Sequence, residues 1–297
     1  MRKLKLPFFI ALSVLILASV LVLGSLKNST ALISPQAYFS KNTPTPTTPL
    51  QKVVAKALEG TKGDYGIVIK NMKTGESYYS NPDKVFEPGS LYKLWVMATV
   101  YDKIAKGEIK EDEILSQDIA VLNEKFGIPE DAAEFTEGTI TLSVRTALNQ
   151  MIVISHNYAA LLLTERVKNS QLQEYLQNNG IKNSHIGNPP KTTPYDIALF
   201  LEKMYKGELI NSEYSQKMID LLKKQQLNNG IPKYLPDHKK VANKTGEIGW
   251  FKHDAGIVFT DQGDYIIVIM SRSNSPLGAQ ERIALVSKAV YDYFTKE

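Results

Sequence analysis

The chain has 297 residues, 43% of them hydrophobic and 22% charged, which suits a domain with a sizeable core and excludes a mostly disordered one. Residues 1–50 hold five of the 35 Lys and Arg and none of the 31 acids, so the formal charge of +4 leaves a net of −1 on the remainder, and the basic footprint of a nucleic-acid binder is absent. There is no Cys, and the four His (His156, His185, His238, His253) never fall four apart, which excludes a disulfide framework, a thiol nucleophile and a helical zinc site; no metal or other cofactor is expected.

Arg2, Lys3 and Lys5 precede an apolar run from Leu6 to Leu23 that at about 1.5 Å per residue comes close to crossing a hydrocarbon core of roughly 30 Å. Positive charge ahead of the run keeps the first residues cytoplasmic and exports the rest of the chain. Residues 1–26 are therefore expected to be a membrane anchor or signal peptide. The domain would then sit on the outer face of the cytoplasmic membrane, or be secreted if the leader is cut; Ser29-Thr30-Ala31 offers a small-x-small cleavage pattern, while the length of the run favours an anchor. Residues 27–49 are rich in Pro, Thr and Ser and read as a semi-extended tether, leaving 50–297 as the folded domain, expected to be monomeric.

Within the domain, helical spacing over Leu50–Leu58 leads into strand-like runs at Asp64–Lys70 and Glu76–Ser80 around a turn at Lys73-Thr74-Gly75. From Ser90 to Lys106, apolar residues recur every three to four positions as in a largely buried helix, with Gly107 as its stop. Residues 108–225 read as mostly helical. Val/Ile-rich runs at Ala255–Thr260 and Tyr265–Ser271 predict strands, and Gly278–Phe294 a last helix. Strands at both chain ends with helices between them predict an α+β fold: one antiparallel sheet built from both termini and flanked by the terminal helices, a central all-helical lobe, and a cleft between the two.

Three short patterns carry candidate chemistry. Ser90-Leu91-Tyr92-Lys93 opens the buried helix, so Ser90 and Lys93 lie about one turn apart on one face. A Ser hydroxyl is a weak nucleophile until a base takes its proton, and a Lys with a depressed pKa is such a base; taken alone, the pattern is equally a Ser helix cap with an incidental Lys. Ser155-His156-Asn157 falls between the helical stretches Leu142–Val153 and Tyr158–Val167, where a short loop can present a hydroxyl and an amide to a cleft, or simply cap the second helix. Lys-Thr-Gly occurs twice. The copy at Lys73 is turn chemistry, whereas Lys244-Thr245-Gly246 on an edge strand suits a substrate carboxylate with backbone close by.

Their order, Ser-x-x-Lys, Ser-x-Asn, Lys-Thr-Gly, resembles the motif set of class A β-lactamases and penicillin-binding proteins. Glu87–Leu94, Gly138–Leu142, Thr192-Thr193-Pro194 and His253–Val258 resemble further landmarks of the class A β-lactamase type, so the resemblance spans Leu50 to Phe294. It implies a serine hydrolase with Ser90 as the acylated nucleophile, Lys93 as base or relay and Ser155 as proton shuttle. By the same resemblance Asn157 would hold the substrate amide, Lys244 and Thr245 with Gly246 would bind its carboxylate, and the backbone N–H groups of Ser90 and Glu247 would form the oxyanion hole. The implied partner is a small β-lactam or a peptidoglycan stem peptide.

Two departures stand out. His156 takes the middle place of the second motif, where the family commonly has Asp. Residues 181–195, IKNSHIGNPPKTTPY, contain no Asp or Glu, whereas class A β-lactamases carry there a Glu that activates the deacylating water. A general base is typically worth about 10² to 10⁴ in rate, so acylation is expected to outrun turnover unless Lys93, His156 or His185 substitutes. The competing expectations are a β-lactam hydrolase with weak deacylation, a peptidase acting on D-Ala-D-Ala stems, and a non-hydrolytic penicillin-binding module.

Overall fold

The computed structural model describes residues 48–296; the apolar run Leu6–Leu23, the Ser29-Thr30-Ala31 pattern and nearly all of the tether lie outside the described residues. Among the described residues no helix is long and apolar enough to cross a membrane. The domain begins where Thr48 accepts from Gln51 N and the Gln51 side chain reaches back to Thr48 N, a reciprocal cap that starts α1 (Pro49–Ala57) with Pro in its first turn. Strands β1 (Asp64–Asn71) and β2 (Ser77–Ser80) form a hairpin whose turn contains the first Lys-Thr-Gly, Lys73-Thr74-Gly75.

After a 3-10 turn over Gly89–Tyr92, helix α2 (Lys93–Ala105) is buried from Lys93 through Tyr101. The expectation of a mostly helical 108–225 holds, but that of an all-helical lobe needs one correction. A two-stranded ribbon, β3 (Ile114–Asp118) with β4 (Thr139–Ser143), lies there, so Leu142 belongs to a strand and not to the following helix, and the lobe is not all-helical. Cross-strand pairing of Ser116 with Thr141, hydroxyl to hydroxyl at 2.7 Å, shows what the polar alternation of Thr-Ile-Thr-Leu-Ser is for. Between the two strands runs α3 (Ile119–Lys125), capped by Asp118; then come α4 (Val144–Val153), α5 (Asn157–Val167), α6 (Asn169–Asn178), α7 (Pro194–Tyr205) and α8 (Ser212–Leu222).

The chain returns to the sheet with β5 (Val241–Ile248), β6 (Phe251–Val258) and β7 (Tyr265–Arg272), and ends in α9 (Pro276–Thr295). β6 starts four residues before the expected strand, at Phe251. The sheet order is β2-β1-β7-β6-β5, every neighbouring pair antiparallel, so strands from both chain ends meet at β1 and β7 as expected. Side chains alternate across a strand. In β7, Ile266, Val268 and Met270 join the core shared with α2, α4, α5 and α7, while Tyr265, Ile267 and Ile269 join a second core beneath α1 and α9. A strand covered on both faces reads as an unbroken apolar run, which is why this one was legible. β5 is one of the two edge strands, opposite β2, and lies beside the 3-10 turn that carries Ser90.

Candidate active site

The turn that carries Ser90 and the edge strand are fitted to each other through two glycines. Gly89 has φ +50, a left-handed conformation that favours glycine, and a Cβ there would lie 2.7 Å from Glu247 N. A Cβ on Gly246 would lie 2.4 Å from the Pro88 carbonyl oxygen and 2.8 Å from Leu91 Cγ. Backbone therefore packs on backbone, and Ser90 stands next to the Gly246-Glu247 segment. His253, opposite Gly246 in the β5–β6 ladder, braces the same turn from below: Nε2–H donates to the Glu87 carbonyl at 2.8 Å and Nδ1 accepts from Ser271 N at 3.1 Å. Those two bonds fix the neutral tautomer, and burial pushes the imidazole down to about 4.

Lys93 follows Ser90 by three residues and is fully buried. Its Nζ donates to the Ser155 carbonyl at 2.6 Å, to Asn157 Oδ1 at 2.7 Å and to Ser155 Oγ at 3.2 Å. Burial, and then the charge of Lys244, depress it to about 7, with Glu134 opposing. At neutral pH roughly half of such an amine is unprotonated. Lys244, also fully buried, donates to Ser155 Oγ at 3.0 Å and to the Thr245 carbonyl at 2.9 Å; burial brings it to about 8 against the pull of Asp254 and Glu247. Ser155 has φ +58, unusual for a residue with a side chain, in the loop between α4 and α5. That conformation turns its carbonyl to one lysine and its hydroxyl to both.

The structure thus brings Lys93, Ser155, Asn157 and Lys244 into one hydrogen-bonded cluster, with Thr245, Gly246 and the Glu247 backbone on the adjacent edge strand. Ser90 is half-buried, and its hydroxyl is unengaged by any hydrogen bond among the described residues. The Glu247 carboxylate turns away, to Lys252 and Gln280. His156 caps α5, its Nδ1 accepting from Ala159 N at 3.2 Å, which is the capping work an Asp does at such a place.

One site residue escaped the sequence reading. Glu134, in the loop before β4, accepts from Asn157 Nδ2 at 2.8 Å and is the acid that bears on Lys93. Nothing in its spacing sets it apart from Glu130, Asp131 and Glu137 around it.

The acid-free loop is tied down elsewhere. Asp196, at the start of α7, accepts from Asn183 N at 2.7 Å and Ser184 Oγ at 2.9 Å, and Thr192 exchanges backbone bonds with Phe86. A cavity of about 550 Å³ remains between its Ile186–Pro190 segment and Tyr92, α3, α5 and α6. Among the described residues no cluster of three potential metal ligands occurs.

The profile of the Beta-lactamase enzyme family matches residues 49–294, the whole described domain. The chain belongs to that family. No curated protein sequence matches it significantly. Among solved structures the chain is similar to a beta-lactamase from Sphaerobacter thermophilus, with 23% identity over 82% of this chain and 96% of that one at a TM-score of 0.72. It is also similar to PBP-A (24% identity, 84% and 96% covered, TM-score 0.71) and to the TLA-1 extended-spectrum beta-lactamase (20%, 85% and 100%, 0.72). These likenesses bear on the fold, which is the mixed α+β architecture of beta-lactamases.

Proposed function

We propose that this beta-lactamase family member opens β-lactam amides through an acyl-enzyme at Ser90 and releases the product slowly. The observation that carries the reading is the buried Lys93 amine, depressed to about 7 and one helical turn from Ser90. Neutral Lys93 takes the Ser90 proton as the hydroxyl oxygen attacks the lactam carbonyl. The carbonyl oxygen, now negative, is received by the N–H groups of Ser90 and Glu247, at about 3 kcal/mol per donor. As the C–N bond breaks, Ser155 passes a proton to the leaving nitrogen, resupplied from the amines of Lys93 or Lys244. Lys244 and Thr245 hold the substrate carboxylate and Asn157 the side-chain amide.

Deacylation needs a base for water, and residues 181–195 hold no carboxylate while Asp196 is committed to Asn183 and Ser184. That absence also supports a second reading, a peptidase on peptidoglycan stems ending in D-Ala-D-Ala; PBP-A, a protein of similar fold, has been solved in mutant form as an acyl-enzyme complex with penicillin G. In both readings the Leu6–Leu23 run is proposed to hold the domain outside the cytoplasmic membrane. Intact-mass spectrometry of the full-length chain with penicillin, followed over time beside Ser90→Ala, tests this. A long-lived adduct on the parent alone supports slow release, rapid disappearance with product accumulation would make it a fast β-lactamase, and no adduct would remove Ser90 chemistry altogether.

A further inference from the structure

At one end of the sheet, where Asp64 and Phe251 both pair with Arg272, a further cavity of about 390 Å³ opens among residues that the acyl-serine steps do not use. Its floor is backbone set on backbone. Gly63, at φ +110, comes so near β7 that a Cβ there would lie 2.6 Å from the Arg272 carbonyl oxygen. Ser273 N donates to the Trp250 carbonyl at 2.9 Å, and Ser273 Oγ to the Lys62 carbonyl at 3.2 Å. The side chains around this floor are left open. Trp250, in the two-residue turn between β5 and β6, is 56% exposed, whereas Trp95, the other Trp of the chain, is fully buried. The Arg272 guanidinium rests 5.8 Å from the Phe251 ring centroid, and neither it nor the Lys62 ammonium meets a carboxylate among the described residues. The one acid of the lining, Asp64, is taken by Lys84 at 2.7 Å. The Asn274 amide has no hydrogen-bond partner among the described residues. A flat apolar ring, two unneutralised cations and a free amide thus share one concavity.

We propose that this cavity binds an acidic sugar of a glycan chain, its ring stacked on Trp250 and its carboxylate held by Arg272 and Lys62. The C–H face of a pyranose is apolar and its rim is polar, which fits an indole beside the donors and acceptor of Asn274. The planar fork of an Arg meets a carboxylate with two parallel hydrogen bonds, and the Lys adds a point charge. A polynucleotide asks for a broad basic surface, and the folded part has a net charge of −1. A lipid surface asks for a continuous apolar face, and here Ser273, Asn274, Lys62 and Arg272 surround a single ring. The turn that carries Trp250 directly follows Glu247-Ile248, so the glycan would be held at the end of the strand that lines the proposed acyl site, without using its residues. Two sources share this chemistry: a muramic acid whose carboxylate is free of peptide, and a uronic acid of an accessory polymer.

The test is calorimetric titration of the full-length chain with trigalacturonic acid and with the neutral trisaccharide chitotriose. The acid is expected to bind roughly tenfold tighter and to change the emission of Trp250, which reports alone because Trp95 is buried. Arg272→Gln is expected to bring the acid down to the level of chitotriose, and Trp250→Ala to weaken both by about tenfold, with thermal midpoints like the parent's. Ser90→Ala should bind as the parent does, so failure of the acyl-serine reading and failure of this one are separate results. Equal binding of the two saccharides, acid binding untouched in both Arg272→Gln and Trp250→Ala, or no binding at all would overturn the proposal. Glycan strands stripped of their peptides and polyglucuronate then compete for the bound trisaccharide. Whichever displaces it at the lower concentration names the source, and displacement only by phosphatidylglycerol vesicles would overturn the glycan in favour of a lipid surface.

Discussion

Lys244 donates to the Ser155 hydroxyl at 3.0 Å, across 89 residues of sequence. The bond joins the edge strand to the helical lobe and sets one amine beside another, since Ser155 is also the partner of Lys93. A second cation on the same hydroxyl lowers the affinity of Lys93 for its proton, and the charge of Lys244 indeed follows burial among the causes that depress Lys93.

Acylation should therefore rise with pH through about 7, as Lys93 loses its proton, and fall again above about 8, as Lys244 loses the charge that would hold the substrate carboxylate. Lys244→Ala removes the neighbouring cation, so the Lys93 ammonium persists to higher pH and the rising limb moves up. Single-turnover acylation rates across the pH range check this; a limb that stays in place in Lys244→Ala would detach the two amines.

Lys244→Ala should also cost roughly 10- to 100-fold in acylation by a penicillin with a free carboxylate, the equivalent of about 1.5 to 3 kcal/mol for a charged hydrogen bond. The corresponding methyl ester should lose far less. Comparing acid and ester on parent and variant isolates the contact with the substrate carboxylate from the effect on Lys93.

Gly246→Ala would set a methyl group 2.4 Å from the Pro88 carbonyl oxygen, on backbone that cannot swing aside. Overpacking of this kind costs about 1 to 3 kcal/mol. The edge strand should shift from the Ser90 turn, and misplacing the Glu247 N–H by an ångström should lower acylation about 100-fold. A folded variant by circular dichroism with unimpaired acylation would contradict the proposed oxyanion pocket.

The neutral His253 makes stability fall in acid. Its folded value of about 4 lies below the ordinary 6.5, so between these pH values the unfolded chain takes up a proton that the folded one refuses. The contribution is complete above 6.5 and is lost as pH falls through 4, at most roughly 3 kcal/mol. Urea midpoints at neutral pH and at pH about 4.5 should diverge more for the parent than for His253→Gln.

Ser90, Lys93 and the strand of Lys244 could be singled out because acyl-serine chemistry would demand fixed spacing on rigid elements and the patterns occur in one order; the structure sets Lys93 and Lys244 on one hydroxyl, that of Ser155. β1 and β7 were legible because burial on both faces leaves an apolar run. The β3–β4 ribbon was not, since Leu115 is its one buried residue and four of its ten residues are Ser or Thr. The start of β6 was hidden by His253 and Asp254, polar residues that are buried here because Glu87, Ser271, Asn243 and Ile231 supply their partners. Glu134 was invisible for the opposite reason: it lies in an acidic loop, and which acid reaches Asn157 is decided by the anchoring of Phe135, a matter of three dimensions.

The pairing of β1 with β7, Asp64 opposite Arg272, has a consequence for biogenesis. A growing chain can form the helices between them from local contacts, but the centre of the sheet closes only when the last strand arrives, and such long-range pairing is slow. Until then the Ser90 turn has no edge strand to lean on and Lys93 lacks its neighbouring amine. Chains truncated before β5 should consequently be inert towards penicillin, the reactivity proposed for Ser90 arising only once strands β5 to β7 have been made.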